Sequence, residues 1–189
     1  AASTAFANAT VGEAAPAFTV TDTAGKTVSL ADFKGKTVVL EWVNPGCPYV
    51  RKHYDSANMQ TTQKGATGKG VVWLAVNSTA QGHGDYKKPA DMAVWMASQK
   101  AAAASTLMDS DGKVGKAYGA RTTPHMYIVD AKGTLVYAGG IDDKPTANPA
   151  DTKMATNYVN AALADIAAGR SVANASTRPY GCSVKYSDG

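Results

Sequence analysis

The sequence predicts one α/β domain built around a mixed sheet, and three observations carry that reading. Short apolar runs, Val38-Val39-Leu40, Val71-Val72-Trp73-Leu74-Ala75-Val76 and Met126-Tyr127-Ile128-Val129, have the length and β-branched or aromatic content of strands covered on both faces. Helix-length segments separate the earlier runs, which is how parallel strands are joined. The last run meets the turn signal Asp130-Ala131-Lys132-Gly133 and then Thr134-Leu135-Val136-Tyr137-Ala138, so the sheet closes with an antiparallel hairpin. A chain of 189 residues with 44% hydrophobic content supports one real core.

Taken in order, residues 1–10 carry no period and read as a flexible N-terminus. Residues 11–169 form the domain, and 170–189 a C-terminal tail. Ala17–Thr21 and Thr27–Leu30, around Ala24-Gly25-Lys26, read as a hairpin. Thr37–Leu40 is the first core strand. A helix is predicted from Pro48 to about Thr62, with proline in the first turn, where its missing N–H loses no bond. The run at 71–76 is the next strand, 77–88 a surface loop, and Ala90–Ala104 a helix. Leu107–Asp109 and Val114–Gly119 fit a short strand and a short helix. The last helix is predicted over Lys153–Ala168, ended by Gly169.

Charge excludes more than it selects. The net charge of +4 comes from lysines spread along the chain, with no cluster or motif of a nucleic-acid surface. No run approaches the roughly 18 apolar residues of a membrane-spanning helix. The opening Ala1-Ala2-Ser3-Thr4-Ala5 fits cleavage after a small-residue export signal, so a periplasmic or secreted location is expected, with the cytoplasm as the alternative.

Chemistry concentrates at Cys47, which follows an apolar strand and precedes a helix. Unpaired first-turn N–H groups and the helix dipole favour an anion there, and the thiolate is the reactive form. The second cysteine, Cys182, lies 182 − 47 = 135 residues downstream. Three readings stay open for it: a redox partner of Cys47, a permanent bridge worth about 4–5 kcal/mol in the chain-entropy model, or an unrelated tail thiol.

The run Trp42-x-x-x-x-Cys47-Pro48-x-x-Arg51 after an apolar strand resembles the way thioredoxin-fold proteins present a reactive cysteine. Thr123-Pro124 before the strand at 126–129 resembles the cis-proline loop that faces it; an ordinary trans proline opening a strand is the alternative. Leu30-Ala31-Asp32-Phe33-Lys34-Gly35-Lys36, Gly140-Ile141-Asp142-Asp143 and Arg178-Pro179-Tyr180-Gly181-Cys182-Ser183-Val184-Lys185 narrow the resemblance to the redoxin, peroxiredoxin-like (AhpC/TSA-type) proteins of that superfamily, over roughly residues 11–186.

The resemblance implies a thioredoxin-like fold and a thiol–disulfide oxidoreductase, with Cys47 as nucleophile and Cys182 as resolving thiol. Arg121 would stabilise the thiolate, with Arg51 next in line, and Thr123 and Pro124 would position the substrate. Trp42, Asn44, Pro48, Tyr49 and His125 would line the substrate site, Trp42 and Tyr49 as an apolar lip; core packing is the alternative for those two. His125 either tunes the thiol or points away along its strand, and His53 packs or faces solvent. Neither a cofactor nor a metal is required, because the electrons reside on sulfur.

Two departures qualify the match. Val50 stands where a dithiol centre has its second cysteine, and Asn44 stands where a peroxidatic site has threonine. The alternatives are therefore a peroxidase acting on hydrogen peroxide or alkyl hydroperoxides, and a non-enzymatic binding module with a structural bridge. The expected partner is a thiol or disulfide protein or a peroxide.

Overall fold

The computed structural model describes residues 9–187; residues 1–8 of the expected flexible N-terminus lie outside the described residues. The strands are β1 (Thr19–Thr21), β2 (Thr27–Ser29), β3 (Val38–Trp42), β4 (Val72–Asn77), β5 (Ser105–Met108), β6 (Thr122–Thr123), β7 (His125–Val129), β8 (Leu135–Gly139) and β9 (Cys182–Ser183). The α-helices are α1 (Pro48–Asp55), α2 (Asn58–Thr67), α3 (Pro89–Ser98), α4 (Lys113–Tyr118) and α5 (Tyr158–Ala167).

The main sheet runs β5-β4-β3-β7-β8. β3 pairs parallel with β4, and β4 with β5, while β7 is antiparallel to both β3 and β8. β1 and β2 form the expected N-terminal hairpin. This is the mixed sheet of a thioredoxin-like α/β domain.

Alternation in β3 divides the interior into two layers. Val38, Leu40 and Trp42 face a core shared with the hairpin and α4, including Phe18, Val28, Val114 and Tyr118. Val39 and Val43 face the other core, with Val50, Tyr54, Met59 and Met92 from the helices, and Cys47 belongs to this second layer.

Three predicted helices needed correction. The segment at 48–62 is not one helix: the chain breaks at Ser56 and Ala57, and α2 then continues through Gly65 to Thr67. Ala57 caps α2 in the left-handed region, at φ 62°. Nothing in its side chain announces such a break, which is why helical periodicity passes over it. The helix expected at 90–104 stops at Ser98, with Lys100 at φ 55°. The helix expected at 153–168 is a 3-10 turn over Pro149–Lys153 followed by α5, which Asn157 starts by accepting a hydrogen bond from the Asn160 N–H.

Left-handed backbone costs alanine about 1 kcal/mol that glycine avoids. Ala57→Gly is therefore expected to raise the melting temperature by about 2–4 °C; an unchanged or lower midpoint would contradict the strain assigned to this joint.

Candidate functional site

The turn from β3 into α1 is fixed by Asn44. Its side-chain oxygen accepts from the Gly46 N–H at 3.0 Å, its amide donates to Asp85 at 3.1 Å, and its carbonyl accepts from the Cys47 N–H at 3.0 Å. The Arg51 guanidinium donates to the Gly46 carbonyl at 3.2 Å. Cys47 is thereby set as the N-cap of α1, with Pro48 in the first turn. A sulfur at this position lies against the positive end of the helix, which lowers the cost of its anionic form.

The opposing wall is the loop around Thr123 and Pro124, joined by a cis peptide bond. The Cys47 sulfur lies 3.3 Å from the Thr123 carbonyl oxygen. The tail completes the site. β9 runs antiparallel to β6, with Cys182 opposite Thr123 and Ser183 opposite Thr122. Cys47 and Cys182 are joined as a disulfide, with their Cα atoms 6.0 Å apart. Gly181, at φ 144°, makes the approach possible: a Cβ there would overlap the Thr123 carbonyl oxygen.

The tail is anchored along its length by contacts other than the disulfide. Before Cys182, the Ala138 N–H donates to the Ala175 carbonyl at 3.0 Å, and the Thr177 hydroxyl accepts from the Gly140 N–H at 2.9 Å. After it, the Val184 N–H donates to the Arg121 carbonyl, Lys185 accepts from the Ala80 N–H, and the Tyr186 hydroxyl donates to the Ala120 carbonyl at 2.7 Å.

The most connected anchor is Tyr180. Its hydroxyl donates to Asp142 Oδ1 at 2.6 Å, accepts from Lys52 Nζ at 2.9 Å and lies 3.0 Å from His53 Nε2. Lys52, His53 and Asp142 are all buried. The Asn58 amide donates to His53 Nδ1, which places the ring proton on Nε2, facing Tyr180. Burial and the neighbouring Lys52 push His53 down to about 3, and burial also lowers Lys52.

The other residues singled out in the sequence divide sharply. Thr123, Pro124 and Cys182 do converge on Cys47. Tyr49 is half-buried and packs edge-on against Tyr180, with centroids 5.9 Å apart, while Pro48 is exposed. Trp42 is not a lip: it is fully enclosed, donates to the Ser78 hydroxyl and packs on Tyr118 and Tyr127. His125 is buried, stacks on Tyr127 and accepts from the Arg121 N–H, so it follows its strand reading. Arg121 is exposed and joins the site through its backbone, not its guanidinium.

Sequence reasoning missed Lys52, Asp142 and Tyr180 as a set, and the buried Glu41 on β3. Glu41 is fully enclosed and accepts from Tyr54, Gln63 and Trp73; burial raises its carboxyl above the usual range despite these donors. A charge inside an apolar strand was its sequence signal. The Lys52–Asp142–Tyr180 set left only its short motifs.

Comparison with known proteins agrees with this geometry. Residues 11–138 match the AhpC/TSA family. The chain is 27% identical to the thiol-disulfide oxidoreductase ResA of Bacillus thuringiensis over 126 residues, 67% of each chain. An uncharacterized conserved protein of Geobacillus kaustophilus superimposes with a TM-score of 0.83 at 27% identity, covering 95% of this chain and 94% of that one. The thioredoxin domain of a thiol-disulfide oxidoreductase of Bacteroides vulgatus gives 0.53 at 30% identity, over 68% and 87%. The family match ends before Asp142, Tyr180 and Cys182, so the tail that carries the second sulfur lies outside it, while the β6 strand and the Lys52 that receive the tail lie within.

The two buried histidines predict a pH dependence. Burial holds His53 near 3, and burial with Arg121 holds His125 down at about 4, whereas each titrates near 6.5 when unfolded. The unfolded chain therefore binds more protons between those values. Stability is complete above about pH 6.5 and falls by a few kcal/mol as pH drops toward 4. Denaturant midpoints from pH 7 to 4.5 should decline, and His125→Asn, which keeps an acceptor for Arg121, should flatten part of that decline. Parallel profiles for both proteins would contradict the assignment to His125.

Proposed function

Since the chain belongs to the AhpC/TSA family, we propose that it is a thiol–disulfide oxidoreductase that cycles between a Cys47/Cys182 dithiol and the disulfide. The observation that carries this reading is the placement of the bonded pair: Cys47 caps α1 and lies against the Thr123 carbonyl, with Cys182 held opposite on β9. The named relatives support the same class of reaction.

In the reducing direction, the Cys47 thiolate attacks a substrate disulfide and forms a mixed disulfide, releasing one substrate thiolate. The Cys182 thiolate then attacks the Cys47 sulfur, forms the Cys47–Cys182 bond and releases the second thiolate. Substrate gains the two electrons that the pair loses. The helix N-terminus favours Cys47 as the first nucleophile. Anchors on both sides of Cys182 keep the second thiol in place after the bond opens, so resolution needs no search by a mobile tail. A resting disulfide persists in oxidising compartments, which supports a periplasmic or secreted location.

Peroxide reduction fits the site less well. The Asn44 amide is committed to Asp85 rather than turned toward sulfur, and among the described residues the Arg121 guanidinium makes no hydrogen bond. We therefore expect reduced protein to react with hydrogen peroxide no faster than a free thiol. A stopped-flow rate orders of magnitude higher would replace the exchange reading with a peroxidase.

The deciding experiment is turnover of a disulfide substrate with dithiothreitol as electron donor. Cys47→Ser should abolish it, and Cys182→Ser should stop at a mixed disulfide on Cys47, visible by mass. Retention of turnover in Cys47→Ser, or a native disulfide that dithiothreitol cannot open, would overturn the proposal. Gly181→Val should fold yet slow closure of the disulfide at least tenfold, because its side chain forces β9 away from Thr123; an unchanged rate would show that β6–β9 pairing does not set the sulfur separation.

A further inference from the structure

The loop after β4 packs on the turn that carries Cys47. Asp85 accepts a hydrogen bond from the Asn44 side-chain amide at 3.1 Å, and Asn44 in turn accepts from the Gly46 and Cys47 N–H groups. The Asp85 carboxylate also rests on Gly46 itself: a Cβ there would lie 3.1 Å from Asp85 Cγ and 3.2 Å from each carboxylate oxygen. Three nearly equal separations mean that the flat face of the carboxylate covers the residue immediately before Cys47. The missing side chain at Gly46 leaves room for that contact. With consecutive Cα atoms about 3.8 Å apart, the charge lies on the order of 10 Å or less from the Cys47 sulfur.

No cation of the protein cancels this carboxylate. The Asp85 N–H donates to His83 Nδ1 at 3.0 Å, and that nitrogen lies 4.0 Å from Asp85 Oδ2. Among the described residues, no lysine or arginine forms an ion pair with Asp85. On the carbonyl side of Gly46, the Arg51 guanidinium donates to the Gly46 and Pro45 carbonyls at 3.2 and 3.4 Å. A cation and an anion thus bracket one residue without pairing with each other. The other charged groups near the site have partners of their own: Glu41 accepts from Tyr54, Lys52 and Asp142 bond to Tyr180, and Lys185 donates to Ser183. Arg121 is exposed.

Arg51 and Asp85 act on a Cys47 thiolate with opposite sign. Arg51 and the start of α1 stabilise the anion, and Asp85 raises its free energy. A thiolate held too stable favours the dithiol over the disulfide, which makes the pair a poor reductant, and it also weakens the nucleophile. A carboxylate against the turn opposes both effects.

Building on the redox reading above, we propose that Asp85 is the positioning residue that keeps the Cys47–Cys182 pair reducing. It fixes the turn through Asn44 and sets its negative charge against the Cys47 thiolate, so that electrons pass from the pair to substrate. The bonds that form and break remain those of the two cysteines.

Asp85→Asn separates charge from structure, because it keeps an acceptor for the Asn44 amide. In a Cys182→Ser background, ultraviolet absorbance reads the Cys47 thiolate directly, corrected with the protein that lacks both cysteines. Its midpoint should fall by about half a pH unit or more in Asp85→Asn. Arg51→Gln should move it the other way. With both cysteines present, two reduced glutathiones convert the protein disulfide to the dithiol and one glutathione disulfide. At about pH 8 that equilibrium should shift toward the dithiol by about threefold or more in Asp85→Asn, about 15 mV. Both differences should shrink in about 1 M salt, which screens a charge but not a hydrogen bond. An Asp85→Asn protein that titrates and equilibrates like its parent, or differences that salt leaves unchanged, would overturn this role for Asp85 and leave the redox reading intact. A native disulfide that dithiothreitol cannot open would overturn both.

Discussion

The Tyr180 hydroxyl ties together charges that the fold has removed from water. Lys52 lies on α1, five residues beyond Cys47, and Asp142 lies just after β8. Neither belongs in a protein interior without partners, because an unpaired buried charge costs several kcal/mol. Lys52 donates to Tyr180 and to the Lys144 carbonyl at 2.6 Å, and Asp142 accepts from Tyr180. Docking the tail thus satisfies a charge on the same helix that Cys47 caps. Cys182, two residues later, is placed where it is because Tyr180 cannot leave without costing both groups a partner, leaving each with Lys144 backbone.

This arrangement solves a geometric difficulty that Val50 creates. A second cysteine three residues after the first would need only one helical turn to bring two sulfurs together. In this chain that position is filled by a valine buried in the core against Tyr54 and Met59. The partner sulfur must instead return over 135 residues, and chain entropy opposes that return. Strand pairing at β6–β9, the Thr177, Tyr180 and Tyr186 anchors and the side-chain-free approach at Gly181 together meet the entropic cost before any covalent bond forms.

Much of this was legible in the residues, and the division has physical causes. Strands buried on both faces announce themselves through continuous apolar runs, so β3, β4 and β7 are legible within a residue or two, and the turn at 130–133 marks the alternating edge strand β8. The strand-to-helix cysteine and the Thr123-Pro124 loop are local patterns with fixed neighbours, and they were found too. Helix breaks were not: Ala57 and Lys100 adopt left-handed backbone through tertiary context, which periodicity does not encode. The buried set of Lys52, His53, Asp142 and Tyr180 was invisible for the same reason, since a lysine in sequence carries no mark of whether its amine meets water or a tyrosine. Of the two readings open for Trp42, core packing holds and the lip does not, because nearness in sequence to Cys47 is not nearness in space: alternation in β3 sends its ring to the opposite core.

The same alternation explains why the two sulfurs are unequal. Val43 and Cys47 fall on the helix-covered side of the sheet, so the Cys47 sulfur is backed by core, while Cys182 is half-buried on the tail strand β9. A thiol exchange centre needs one sulfur that leaves easily and one that can be reached. In a single helical turn both properties are shaped by one helix N-terminus. When the second sulfur comes on a separate strand the surroundings of the two are set independently, those of Cys47 by the start of α1 and those of Cys182 by the tail. Changes in the tail can then alter what reaches the disulfide without disturbing the helix that stabilises Cys47, and that separation is what an anchored, distant second cysteine adds to the family framework.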